Sequence, residues 1–186
     1  MTNPRDILRG DVVRLDALRD SDASTIASWQ QSDFLRFYDT APARPSSEPE
    51  VVKWLAELRK TDRTIGFAIR PRDGERLIGT LELDEILWPH RVCGIGLAVG
   101  NPDDWGRGYG TRAAQLGLAF AFDEINLYRV TATVFAYNSR SIALIEKLGF
   151  QREGAFRQFI QRDGTRYDML LYGLLRPEWE HQRSQD

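Results

Sequence analysis

Residues 92–122 contain the feature that most constrains the fold, a glycine-rich turn between a predicted strand and a predicted helix. Val92–Gly100 is apolar with three glycines, which predicts a buried strand that bends or bulges. The segment Gly106-Arg107-Gly108-Tyr109-Gly110-Thr111 follows, and a helix is predicted from about Thr111 to Phe122. A strand that turns through glycines into a helix indicates an α/β chain.

The remaining elements alternate in the same way and predict a mixed, mostly antiparallel sheet with flanking helices. Ser47 and Glu50 have the spacing of a capping box, and Gly149 is a typical helix terminator. Turn signals predict hairpins around Pro71–Gly74 and Asp163–Gly164. The other predicted strands are Val12–Leu15, Thr64–Arg70, Arg76–Leu87, Arg129–Tyr137, Phe150–Arg162 and Thr165–Leu175, and the other predicted helices are Ser21–Gln30, one through Val51–Leu58, and Ser139–Leu148.

Length and composition predict one domain over residues 1–186, since 42% hydrophobic and 28% charged residues are ordinary for a globular protein. Without a bilayer-length apolar run or a signal-peptide stretch in Met1–Asp11, we expect a cytoplasmic protein with no membrane partner. The single cysteine, Cys93, excludes an internal disulfide, and two distant histidines, His90 and His181, indicate no metal site. A net charge of −2 without a long basic run argues against nucleic-acid binding.

The glycine segment suits a phosphate or pyrophosphate. Glycines let the backbone approach a ligand, and the following helix begins with unpaired N–H groups and a positive dipole end. A purely structural strand-to-helix turn would show the same pattern. Two other phosphate-binding folds fit less well, because a P-loop needs a lysine between Gly110 and Thr111, and a dinucleotide fold needs G-x-G-x-x-G where this chain has G-x-G-x-G.

Three segments together resemble the GNAT acetyltransferase superfamily, in particular its branch of ribosomal-protein N-terminal and polyamine acetyltransferases. Residues 95–100 with Trp105–Thr111 look like the acetyl-CoA strand and pyrophosphate loop of that branch. Residues 138–150, which contain Asn-Ser-Arg-Ser-Ile and Glu-Lys-Leu-Gly-Phe, look like its second signature. Asp168–Trp179 looks like its closing strand, so the resemblance extends from Asp11 to Trp179.

The resemblance implies that two central strands splay apart at a bulge and that the pantetheine arm of acetyl-CoA inserts between them. It implies that the backbone of Leu97, Ala98 and Val99 binds the pantetheine amides, and that one N–H there polarises the thioester carbonyl. Asn138 would bond the pantetheine side, and Ser141 would lie close to the sulfur as a catalytic residue. The pyrophosphate loop would comprise Trp105, Arg107, Gly108, Tyr109, Gly110 and Thr111.

Several of these residues have structural interpretations that fit equally well or better. Asn138 precedes a helix and fits its N-cap as well as a cofactor contact. Ser141 has the position of a solvated first-turn hydroxyl, and its functional role comes only from the resemblance. Cys93 is predicted to be an inert core thiol, and His90 a surface residue in a loop beside the cofactor strand.

Glu82 and Asp84 share one face of a predicted strand, alternating with Leu81 and Leu83. Such a face is usually solvated. If it lines the amine site instead, these carboxylates would receive the substrate cation or its proton, which makes Glu82 a catalytic candidate. An aromatic cluster admits the same two interpretations, as core or as pocket wall, and consists of Trp29, Phe34, Phe37 and Tyr38.

Two positions depart from the family pattern. Many relatives have a glutamate where this chain has Gly94, and many GNAT enzymes have a tyrosine general acid where it has Ile145. The general acid and base therefore stay unassigned, and the predicted acceptor is an amine of low pKa, such as a peptide α-amine, in preference to a polyamine.

The sequence thus predicts an N-acetyltransferase that moves an acetyl group from acetyl-CoA to a primary amine by direct attack in a ternary complex. No metal is expected, and the branch admits a homodimer. A non-catalytic acyl-CoA-binding or sensor domain is the first alternative, and a nucleotide-dependent enzyme using the same glycine loop is the second.

Overall fold

A computed structural model describes residues 7–30, 34–38 and 44–184. They form a seven-stranded sheet in the order β1-β2-β3-β4-β5-β7-β6. The strands are β1 Val13–Ala17, β2 Ile65–Pro71, β3 Gly79–Leu87, β4 Val92–Val99, β5 Arg129–Phe135, β6 Gln151–Arg162 and β7 Thr165–Leu175. The helices are α1 Ala23–Trp29, α2 Leu35–Tyr38, α3 Glu48–Leu58, α4 Tyr109–Ala119, α5 Ser139–Lys147 and α6 Arg176–Arg183.

Local signals in the sequence account for most of these boundaries. The predicted capping box is present at the start of α3, where the Ser47 N–H donates to Glu50 Oε2 at 2.8 Å. Gly149 ends α5 with a φ of +83°, as predicted for a left-handed terminator. The sequence analysis missed α6, although Glu178 caps it by accepting the Leu175 N–H at 2.8 Å.

Strands β4 and β5 form the only parallel pair among the paired strands of the described sheet, and they pair over just three positions, from Val92↔Arg129 to Gly94↔Thr131. Beyond Gly94 the two strands separate, while β5 stays paired with β7 as far as Phe135. The predicted splayed central pair is therefore confirmed.

The bulge lies in β3 rather than in β4, where it was predicted. The β3–β4 register shifts between Asp84 and Leu87, and Glu85 has a φ of +48°. The prediction of a buried strand was only partly right, since Cys93 and Ala98 are buried but Gly96 is exposed and Leu97 is half-buried. Splaying explains this exposure, because the outer half of β4 has no strand beside it on the β5 side.

Two apolar clusters lie on opposite faces of the sheet. Leu81 and Leu83 belong to the larger one, which includes the buried face of α4. Ala98 belongs to the smaller one, with residues of α1 and α3. Thr80, Glu82 and Asp84 alternate with the leucines, so they point toward the α1–α3 side.

Among the described helices, none is long and apolar enough to cross a membrane. Residues 1–6 of the polar N-terminus lie outside the described part of the chain.

Candidate active site

The glycine segment forms an open turn at the start of α4. Gly106 and Gly108 have φ values of +74° and +80°, a region that only glycine enters without strain. Apart from the glycine itself and its two chain neighbours, no heavy atom of the described chain lies within 4 Å of a Cβ placed on either residue. Helix α4 begins at Tyr109, two residues earlier than predicted, so Gly110 lies in its first turn. This backbone leaves room for an anion beside the N–H groups of a helix N-terminus.

An ion pair fixes the turn that leads into this loop. Asp104 ends the turn Pro102–Asp104, and its carboxylate is buried. Arg76, at the end of the β2–β3 connection, donates hydrogen bonds to both of its oxygens. These bonds hold the pKa of Asp104 below its usual value. The two residues are 28 positions apart, and the sequence analysis did not connect them.

Side-chain contacts of Trp105 connect the loop with the end of β4 and the start of α5, which carry the two predicted cofactor signatures. Its indole Nε1 donates a 2.8 Å hydrogen bond to the Val99 carbonyl at the end of β4. The Arg140 guanidinium, in the first turn of α5, lies 4.6 Å from the centroid of the same ring. The two predicted signatures are thus brought together at the carboxyl ends of β4 and β5. The Val99 carbonyl already has a partner, and the predicted pantetheine contacts of Leu97, Ala98 and Val99 remain predictions.

Asn138 and Ser141 occupy the start of α5. Asn138 Oδ1 accepts the Ser141 N–H at 3.2 Å, so Asn138 caps the helix. The additional cofactor contact predicted for its amide stays a prediction. Ser141 is half-buried one turn into the helix, on the same edge of the sheet as Trp105. Its role toward the sulfur also stays a prediction.

A cavity of about 410 Å³ lies between the sheet and the helices α1 and α3. Glu82 and Asp84 line it from β3, which supports the pocket interpretation of that face over the solvated one. The opposite wall is aromatic and aliphatic, with Trp29 at the end of α1 and Trp54 on α3. The lining comprises Ile26, Trp29, Gln30, Phe34, Ser46, Glu50, Val51, Trp54, Thr80, Glu82, Asp84 and Gly96.

The predicted aromatic cluster is therefore divided. Trp29 and Phe34 are buried and line the cavity. Phe37 is exposed and packs its ring 5.9 Å from that of Tyr137. The side chain of Tyr38 lies outside the described part of the structure.

The acidic residues of the cavity differ in their surroundings. Burial, with a contribution from the charge of Glu85, raises the pKa of Asp84 above its usual value. Glu50 accepts hydrogen bonds from Ser47, and these lower its pKa. The carboxylates of Glu82 and Asp84, which lie beside aromatic rings, can hold a cationic amine and take a proton from it.

Three other positions have the structural roles expected of them. Burial raises the pKa of the Cys93 thiol to about 12, which makes it inert. His90 is exposed in the short turn Trp88–His90. Ile145 is buried in the core, so that position supplies no acid.

Comparisons with known proteins identify the family of the chain. A family model described as an acetyltransferase (GNAT) domain matches residues 13–151. The uncharacterized N-acetyltransferase YoaA of Bacillus subtilis (strain 168) is 30% identical over 173 residues, covering 92% of this chain and 97% of the relative. The ribosomal protein uS5-alanine N-acetyltransferase of Escherichia coli (strain K12) is 26% identical over 178 residues, covering 90% and 89%.

A solved structure supports the fold. The spermidine N-acetyltransferase from Vibrio cholerae in complex with CoA and spermine has a TM-score of 0.82 to this chain at 21% identity, covering 90% of this chain and 98% of that one. The chain therefore belongs to the GNAT family of acetyltransferases. It is an acetyl-CoA-dependent N-acetyltransferase, as the resemblance of its two signatures implied.

Proposed function

We propose that the protein acetylates a primary amine of low pKa, such as a peptide or protein α-amine, by direct attack in a ternary complex with acetyl-CoA. The observation that carries the proposal is the cavity beside the splayed strand, which combines Glu82 and Asp84 with an aromatic wall. A carboxylate pair attracts an amine cation, and the aromatic rings complement both the cation and the apolar groups next to it. An acyl-CoA-binding or sensor domain would have no need of such a site.

Each part of the site has a defined task in this reaction. The first turn of α4 and Arg107 would hold the pyrophosphate, and acetyl-CoA, once bound, supplies the activated acetyl group. The backbone of Leu97–Val99 would align it along β4. Holding amine and thioester together contributes about 7–11 kcal/mol through proximity alone, so a covalent enzyme intermediate is unnecessary.

The protonation state of the amine favours an α-amine over a polyamine. An α-amine has an unperturbed pKa of about 7.7–8.0, against about 10.4 for a lysine-like amine. At neutral pH, deprotonating the lysine-like amine costs roughly 3 kcal/mol more, at 1.36 kcal/mol per pKa unit. The competing observation is the carboxylate pair itself, because Glu82 and Asp84 would also suit a polyamine with two positive charges.

The test is release of the free CoA thiol with a panel of amines at pH 7. We expect short peptides with free N-termini to have a higher kcat/KM than spermidine in direct competition. A clear preference for spermidine that disappears in Glu82→Gln would make Glu82 a polyamine ligand and overturn the α-amine assignment. Acetyl-CoA binding without thiol release for any amine would favour the sensor-domain alternative.

Three further features of this proposal derive from the sequence. They are a single acetyltransferase domain over residues 1–186, a location in the cytoplasm, and a homodimer. Gel filtration with light scattering tests the last of them.

A further inference from the structure

Asp84 lies where the two central strands separate. Its partner across the β3–β4 ladder is Gly94, and Gly94 is the last residue of β4 that pairs with β5, opposite Thr131. Glu82 pairs with Gly96, two residues further along the separated part of β4. Asp84 is therefore the carboxylate at the apex of the splay.

The apex is also the far end of β4 from the anion-binding loop. From Gly94 to Val99 the strand spans about 17 Å, at 3.3–3.4 Å per residue. A ligand anchored by its phosphates at Gly106–Thr111 and extended along β4 has its opposite end near Asp84. This position suits a group that acts on the reacting atoms, whereas Glu82 faces the middle of the strand.

The absence of a side chain at Gly94 creates the room for this carboxylate. A Cβ atom on Gly94 would lie 2.1 Å from Asp84 Oδ1, far inside van der Waals contact. The backbone of Gly94 lies outside the left-handed region, so conformation alone does not require glycine there. The Asp84 carboxylate thus occupies the space that a side chain on the neighbouring strand would otherwise fill.

We infer that Asp84 is the catalytic residue that removes the proton from the acceptor amine. The inference rests on the proposed function and adds the base that the sequence left unassigned. The bound ammonium group R–NH₃⁺ passes one proton to an Asp84 oxygen, and its nitrogen lone pair forms the C–N bond to the acetyl carbonyl. The C–S bond then breaks, the second proton that the nitrogen loses as the amide forms passes to the CoA thiolate, and Asp84 returns its own proton to solvent.

The surroundings of Asp84 make its carboxylate a stronger base. The ionisable groups near it are Glu82 and Glu85 on its own strand, the buried Cys93 thiol on β4, and Glu50 on α3 across the cavity. Glu50 is engaged by Ser47 and Arg44. Burial and the Glu85 charge raise the pKa of Asp84, so the carboxylate is a stronger proton acceptor than one in water.

The first test compares Asp84→Asn with wild type and with Glu124→Gln, a control that removes an exposed carboxylate outside the cavity lining. We expect kcat in Asp84→Asn to fall by about 10²–10⁴-fold. The wild-type rate should rise with pH as Asp84 loses its proton, and Asp84→Asn should lack this rise and keep only the rise that follows deprotonation of the amine itself. Acetyl-CoA affinity, measured by calorimetry, should not change, and Glu124→Gln should stay within about threefold of wild type.

The second test moves the carboxylate to the neighbouring strand. Residues directly opposite each other in an antiparallel pair have Cβ atoms about 4.5–5.5 Å apart, so Asp84→Ala/Gly94→Asp returns a carboxylate to the same space. We expect the kcat of this double variant to be at least tenfold higher than that of Asp84→Ala. Recovery would not occur if Asp84 served only to hold the strands together.

Thermal unfolding measured without substrate provides an independent test. A carboxyl whose pKa is raised by folding binds protons more tightly in the folded state, so it destabilises the fold as pH rises above its unfolded value of about 3.9. Asp84→Asn should therefore unfold at a higher temperature than wild type at pH 7. The difference should vanish near pH 3.

The outcomes separate the two proposals. Equal rates and pH profiles for wild type and Asp84→Asn, or a double variant no better than Asp84→Ala, overturn the role of Asp84 and leave the proposed function standing. Wild-type protein that releases no thiol with any amine overturns the proposed function and this inference with it.

Discussion

Arg76 donates two hydrogen bonds to the carboxylate of Asp104, at 2.6 Å from Nη1 to Oδ2 and 2.9 Å from Nη2 to Oδ1. The arginine follows the β2–β3 turn, and the aspartate lies one residue before Trp105, where the chain enters the anion-binding loop. This pair therefore connects the outer part of the sheet to the position of the loop.

We predict that Arg76→Ala destabilises the protein by about 1 kcal/mol at pH 7, since the arginine is half-exposed but its partner is buried. Acetyl-CoA affinity should fall several-fold because the loop loses its support. The pKa of Asp104 is lowered by folding, so the stabilisation is complete above about pH 4 and is lost as the pH falls further.

Denaturant unfolding and calorimetry measure the two effects. Lys60→Ala is the control, because it removes an exposed ion pair with Glu57, and it should change neither quantity. Unchanged acetyl-CoA affinity in Arg76→Ala would show that the ion pair does not position the loop.

Gly108→Val should abolish acetyl-CoA binding. The side chain would be strained by about 1–2 kcal/mol at a φ of +80° and would project into the space that we assign to the pyrophosphate. Gly164→Val is the matched control, since Gly164 has a φ of +76° and equally open surroundings, but lies in the β6–β7 turn. Both variants should lose similar stability, and only the first should lose affinity. Wild-type affinity in Gly108→Val would remove the pyrophosphate assignment.

Two substitutions of Asn138 separate its capping role from its predicted cofactor contact. Asp caps a helix as well as Asn does, whereas Ala costs about 1 kcal/mol. Asn138→Asp should therefore keep the thermal stability that Asn138→Ala loses. If the amide also bonds the cofactor, both variants should bind acetyl-CoA more weakly. Full affinity in Asn138→Asp would restrict the residue to capping.

No acetyl group should be transferred to Cys93. With a pKa of about 12, the buried thiol has almost no thiolate at neutral pH and makes a poor nucleophile. Mass spectrometry after mixing with acetyl-CoA in the absence of amine should show unmodified protein, and Cys93→Ala should retain activity. A stable adduct on Cys93 would contradict direct transfer.

Much of the site could be predicted because its determinants are local. The positive φ values at Gly106 and Gly108 need glycine, and a helix N-terminus supplies N–H groups wherever it begins. The cap at Asn138 depends on residues only three positions apart. Such features follow from neighbouring residues, whatever the rest of the chain does.

Local sequence patterns could not predict which side chains lie together across neighbouring strands or which of them face a cavity. Whether Glu82 and Asp84 faced water or a cavity depended on where α1 and α3 pack, and the alternation of polar and apolar residues is the same in both cases. The bulge was assigned to β4 for its glycines, but it formed in β3, where Glu85 adopts a positive φ. Strand register decides which of two neighbouring strands accommodates an extra residue.

The sequence by itself determined most of the order of elements and the glycine turn, because these depend on periodicity, caps and residues close together in the chain. Its resemblance to known signatures indicated the acetyltransferase family. The tertiary structure alone decided that Asp84 lies opposite Gly94 and that Arg76 binds Asp104. Both contacts join segments of the chain that meet only when the sheet assembles. Their energies arise from burial and charge in the folded protein, which no local pattern encodes.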